Sequence, residues 1–169
     1  MTIRIAPLSG NVRIDLSDDQ YLHGERVRLQ DGRYIRIRPG GMVTIPSVYE
    51  RSGFNMNLDF LDLSSPLAKA TLQILAGTLS QYSVDYAQSI YRTVRAGFSA
   101  GFFNLSEAIT TSQLERWCLG TRVSYARFLK FYLYQLTLAD GAGLVDEEVR
   151  SFIQDPEAKE FSDQGMGPY

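Results

Sequence analysis

The chain has 169 residues, 44% of them hydrophobic, and a formal net charge of −2, which is enough apolar side chain for a real core and excludes disorder of the whole chain. Its longest apolar-rich run, FLKFYLYQLTLA, is about twelve residues, short of the roughly twenty that span a bilayer. Cys118 is the single cysteine, which excludes an internal disulfide, and no charged start followed by an apolar run marks a secretion signal; a cytoplasmic protein with no membrane partner is expected.

In chain order, residues 1–62 alternate with period two, in TIRIAP, NVRIDL, ERVRL, RYIRIRP and MVTIP, and predict short strands. Between the third and fourth lies QDGR, a hairpin signal. A two-residue Asp31-Gly32 loop mixes polar and apolar side chains on each face. A three-residue loop, Gln30-Asp31-Gly32 with Gly32 left-handed, pairs Val27 with Ile35 and Arg26 with Arg36. The second gives a core face of Val27, Leu29, Ile35 and Ile37 and an opposite face of Arg26, Arg28, Tyr34, Arg36 and Arg38. That arginine face reads either as a secondary surface for nucleic acid or a partner, or as the wet side of an edge hairpin whose charges discourage strand-to-strand aggregation.

From PSVYERSGFNMNLDFLDLSSP onward the alternation fades into a connector, and at Pro66 the period becomes helical. The next helix is expected to open at Ser83 as N-cap with Asp85 in its first turn. Val84, Ala87, Tyr91, Val94 and Phe98 form its inward stripe, while Asp85, Gln88, Arg92, Arg95 and Ser99 lie on or near the other side. TTSQLERWCLG predicts a short helix with a Ser112/Glu115 capping box, a buried side of Leu114, Trp117 and Cys118, and an end at Gly120. The fourth helix, TRVSYARFLKFYLYQLTLAD, starts basic and polar (Arg122, Ser124, Arg127, Lys130) and becomes apolar on nearly every side. VDEEVRSFIQD is a last amphipathic piece offering Val149, Phe152 and Ile153. Beyond Pro156 the charges and glycines read as a linker.

Charge is distributed unevenly. Residues 64–139 hold seven basic groups against three acidic ones, and residues 140–169 hold two against eight. Such a split marks either a nucleic-acid surface or an ordinary solvated face. Motifs for chemistry are scarce. One histidine and one cysteine cannot make a Cys/His zinc site, so no metal is expected. Gly-Ala-Gly at 141–143 lacks the third glycine of a dinucleotide fingerprint and follows a helix, and no Walker-type loop is present, so no cofactor is expected either. Glu147 and Glu148 are adjacent, so on a helix they diverge by about 100° and are poorly placed as a catalytic pair.

The order LQILAGTLSQYSVDYAQSIYRTVRAGF, NLSEAITTSQLERWCLG, TRVSYARFLKFYLYQL and GLVDEEVRSFIQD resembles the N-terminal core-binding domain of tyrosine recombinases, the phage-integrase family. The pattern is a Ser-started helix with an inward Tyr/Val stripe (Ser83, Tyr86, Tyr91, Val94), an Ile-Thr step before a short Leu/Trp helix (Ile109, Thr110, Leu114, Trp117), and a long aromatic helix. The resemblance covers roughly residues 66–155, leaves the strand-rich start unexplained, and implies a four- to five-helix orthogonal, SAM-like bundle (63–155) with a linker (156–169) toward a catalytic domain. Preceded by the small N-terminal β-hairpin region read from the alternation (1–62 with the connector), the bundle gives an expected α+β fold. It implies double-stranded DNA as partner, with self-association on DNA. It implicates Gln88, Arg92, Arg95 and Ser99 from one helix and Arg122, Ser124, Arg127 and Lys130 from the other. No catalytic residue is assigned. His23-Gly24-Glu25-Arg26 matches the family's His-x-x-Arg by letter only, because it precedes the helical region and leads into a strand. The chain is therefore expected to clamp DNA without cutting it. The alternative is a protein-interaction module using the arginine-faced hairpin or the acidic tail.

Overall fold

The computed structural model describes residues 7–10, 12–45, 53–120, 126–139 and 143–154. They form an α+β fold of two small antiparallel sheets and six helices. A six-residue helix α1 (Asp18–His23) leads into the hairpin β1 (Glu25–Arg28) and β2 (Tyr34–Ile37). Its register places Val27 opposite Ile35 and Arg26 opposite Arg36, as the parity of the side chains requires. Gly32 takes φ 90°, a left-handed turn that costs glycine little. A second ribbon pairs β3 (Met42–Ile45) with β4 (Phe54–Asn57), from Met42 opposite Asn57 to Ile45 opposite Phe54.

Three expectations about this region are corrected. Residues 12–16 belong to no sheet, and the main chain of Arg13 and Leu16 bonds instead to side chains of a helix. α1 stands where only strands were expected; Ser17 and Gln20 form a reciprocal capping box, and Tyr21 is buried beneath it. β4 lies within the stretch read as a connector. The first strand expected, over residues 2–7, falls outside the described residues except at Pro7.

The helices follow. α2 (Pro66–Gln81) has Pro66 in its first turn and Ser65 as N-cap, the Ser65 hydroxyl accepting from the Ala68 amide at 3.1 Å. Thr71 and Thr78 are buried in α2 because each hydroxyl donates to a carbonyl one turn back, Leu67 and Ile74. α3 (Val84–Ser99) starts at Ser83, whose hydroxyl accepts from the Tyr86 amide. Ala87, Tyr91 and Val94 are buried as expected, with Val84 and Phe98 half-buried against the same core.

α4 (Thr111–Gly120) is capped two residues earlier than expected. Thr110 and Gln113 exchange hydrogen bonds at 3.2 and 2.9 Å, and Leu114 and Trp117 face inward as expected. The side chain of Cys118 lies outside the described residues. α5 (Ala126–Leu138) is exposed at Arg127 and buried at Leu129, Phe131, Tyr132, Leu133 and Leu136, although Leu138 returns to the surface. α6 (Glu147–Gln154) buries Val149 and Ile153; the Phe152 side chain and the expected linker 156–169 lie outside the described residues.

One continuous apolar core runs from Tyr21 and the hairpins through α2, α3 and α5 to Ile153. α2 packs against β1, α3 and α5, α3 packs on α5, and α6 closes on α5. The loop before α4 is tied to the chain before α6 through Ile109, which donates to Leu144 and accepts from Asp146.

Candidate nucleic-acid interface

The expected interface rests on α3 and α5, and an aromatic cluster fixes how these helices meet. Tyr86 on α3 lies 5.7 Å from both Phe128 and Phe131 on α5, edge to face, and Tyr82 sits 4.9 Å from Tyr86 and 5.6 Å from Phe131. Rings in this geometry contribute attraction beyond their buried area. Burial raises the Tyr86 phenol pKa above its ordinary value; Tyr82 adds to the rise, and the Arg127 guanidinium opposes it. Arg127 is next to Phe128, whose ring meets Tyr86 in the first turn of α3. Its guanidinium also lies 5.1 Å from the Phe128 ring centroid, a cation–π contact that orients the side chain while leaving its outer face in water.

The eight residues expected to meet DNA divide into four groups. Arg92 and Arg127 are exposed and have no carboxylate partner among the described residues. Gln88 and Lys130 are half-buried at the margins of the same helices. Arg95 and Ser99 form the third group, placed differently from the expectation. Arg95 is half-buried and turned toward Asp59, with Nη2 at 3.4 Å from the carboxylate, and its Nε is buried without a hydrogen-bond partner among the described residues. Ser99 is exposed but lines a surface cleft of about 460 Å³ together with Asp59 and Asp62. Arg122 and Ser124, the fourth group, lie outside the described residues.

That cleft was not read from the sequence. Its floor is aromatic, with Phe60 stacked on Phe98 at 5.5 Å and Phe103 edge-on to Phe98 at 5.6 Å. Its acids come from the segment after β4, where Asp59 and Asp62 stand three residues apart among Phe60, Leu61 and Leu63. Two carboxylates beside Ser99 repel a phosphate, so the positive character of α3 is concentrated at Arg92 and falls toward the helix C-terminus.

The arginine-faced hairpin is partly engaged with itself. Arg26 lies 4.0 Å from the Tyr34 ring centroid, and Arg36 donates to the His23 carbonyl at 3.4 Å, while Arg28 and Arg38 are exposed. Among the described residues no helix is long and apolar enough to cross a membrane. No protein-family model, curated protein or solved structure matches the chain.

Proposed function

We propose that the chain binds duplex DNA across α3 and the start of α5 in the cytoplasm, as the helical half of a clamp like that of tyrosine recombinases. Arg92 and Arg127 contact phosphates, Lys130 adds charge beside them, and Gln88 is the side chain best suited to a base edge. The observation that carries this reading is the exposure of Arg92 and Arg127 on two helices locked together by the Tyr86 cluster, neither cation being neutralised by a carboxylate among the described residues. Arg95 contributes less, because Asp59 already engages it.

Fluorescence anisotropy of a labelled duplex tests the proposal. Binding in the micromolar range that weakens steeply with added salt is expected, and absence of binding at about 50 mM salt refutes it. A protein-interaction role is favoured instead by one feature of the hairpin: an exposed tyrosine, Tyr34, carrying Arg26 on its face, a residue pair common at protein interfaces. That role predicts partner binding lost on Arg26→Glu and unaffected by Arg92→Glu.

A further inference from the structure

Four positions of α2 spaced one turn apart, Lys69, Gln73, Gly77 and Gln81, share one face of the helix and hold the chain on both sides of residue 11, at residues 8–10 and 12–16, through its main chain. At one end, the Gln81 amide accepts from the Ser9 N–H at 2.9 Å and donates to the Ser9 carbonyl at 3.2 Å. Two turns earlier, the Gln73 amide does the same to Arg13, accepting from its N–H and donating to its carbonyl. Lys69 then donates to the Leu16 carbonyl at 2.6 Å. Each glutamine amide thus supplies the paired donor and acceptor that a neighbouring strand supplies in a sheet.

The remaining contacts set the register. Gly77 leaves room for Leu8, whose Cδ1 lies 3.0 Å from where a Gly77 Cβ would stand. The Leu8 N–H donates to Gln135 Oε1 at 3.1 Å, and Gln135 is a buried amide of α5. Leu8, Val12 and Ile14 rest half-buried on the core. The last contact of the segment falls at Leu16, immediately before the Ser17 cap of α1.

We propose that this face of α2 is a track that reads the main chain of a peptide, closed in this chain by its own residues 8–10 and 12–16, and that the partner it fits is the same stretch of a second copy. The glutamine contacts engage Ser9 and Arg13 through main-chain atoms alone, so another copy's arm makes the same hydrogen bonds and fills the same Gly77 slot. Open and closed forms then differ in the hinge at Leu16–Ser17 and in chain entropy. The tethered arm competes at an effective concentration on the order of millimolar, so exchange appears when copies are concentrated together. Nothing in this depends on DNA.

Cysteine cross-linking in full-length chains carrying Cys118→Ser tests the exchange. A Cβ added at Gly77 lies 3.7 Å from the Leu8 Cβ, within the range a disulfide requires. The doubly substituted Leu8→Cys/Gly77→Cys chain is expected to close an intramolecular disulfide, and failure to do so removes the track itself. One folded chain with Leu8→Cys and another with Gly77→Cys, mixed without denaturant at high concentration and oxidised, are expected to yield a mixed disulfide dimer. The Gly77→Cys chain crowds its own Leu8, which favours the foreign arm. Adding Gln73→Ala and Gln81→Ala to the Leu8→Cys chain, which loosens that chain's hold on its own arm, is expected to raise the dimer yield several-fold. No mixed dimer, or a yield insensitive to the two glutamines, overturns the proposal. The melting transition of each single-cysteine chain is measured alongside, and a mixed dimer formed only from unfolded chains counts against it.

Discussion

The Tyr91 hydroxyl clamps the main chain of Asn57, accepting from its N–H at 2.7 Å and donating to its carbonyl at 3.2 Å. The two bonds join the middle of α3 to the last residue of β4, and Phe54 at the other end of that strand leans on the same ring at 6.1 Å. A single phenol thus fixes the second ribbon onto the helix expected to carry Arg92.

Tyr91→Phe keeps the ring and removes both bonds, leaving two main-chain groups of Asn57 without this partner. A loss of about 1–3 kcal/mol in unfolding free energy is expected, measured as a shift of the urea midpoint. An unchanged midpoint shows that water replaces the hydroxyl at no cost.

Gly97→Ala reverses the usual gain from replacing a helical glycine. The added Cβ stands inside the van der Waals envelope of the Phe103 ring and 3.1 Å from Trp117, and those rings are stacked on each other at 5.7 Å with little room to retreat. Helix propensity favours alanine by about 1 kcal/mol, and overpacking costs about 1–3 kcal/mol. Net destabilisation is expected in thermal unfolding, with a change in near-ultraviolet circular dichroism from Trp117.

Some of this was legible in the sequence. The β1–β2 register followed from side-chain parity around Gly32, and the start of α3 from Ser83, because each depends on neighbours a few residues apart. The cap of α4 was ambiguous because Thr110…Gln113 and Ser112…Glu115 both satisfy the capping pattern, and the structure uses the first. α1 carried its own signal in Ser17 and Gln20, hidden because the flanking alternation suggests strand. The engagement of Arg95 by Asp59 and the use of Gln73 and Gln81 were not legible. Each depends on a segment distant in sequence, and an isolated helix shows these residues only as polar positions on its surface.

Tyr132 gives the protein an alkaline limit. Burial raises its phenol pKa well above the ordinary value near 10.0. Thr71 donates its hydrogen to the Leu67 carbonyl, so the 2.6 Å contact between the two hydroxyls is donated by Tyr132. The folded state keeps this proton, whereas the unfolded phenol releases it near pH 10. Above that pH the unfolded state binds fewer protons, so stability is intact below about pH 10 and falls as pH rises beyond it. Tyr21 is also raised, by burial and then by the Asp62 carboxylate. Urea midpoints at about pH 9 and pH 11 are expected to diverge less in Tyr132→Phe than in the parent chain; equal divergence assigns the alkaline loss elsewhere.

The DNA reading makes a graded prediction about four charges. Neutralising a phosphate contact lowers the slope of log affinity against log salt by about 0.9. Arg92→Ala and Arg127→Ala are each expected to show a decrease of that size and weaker binding, because both cations are exposed without a carboxylate partner among the described residues. Arg95→Ala is expected to change the slope less, since its guanidinium faces Asp59. Asp59→Asn removes a negative charge from the cleft beside Ser99 and releases Arg95, so it is expected to tighten DNA binding and steepen the slope. Anisotropy titrations of the four variants over a salt series decide the matter. Equal slopes throughout place the DNA contacts away from α3 and α5, whereas weaker binding in Asp59→Asn makes that carboxylate an organiser of Arg95 for DNA instead of its competitor.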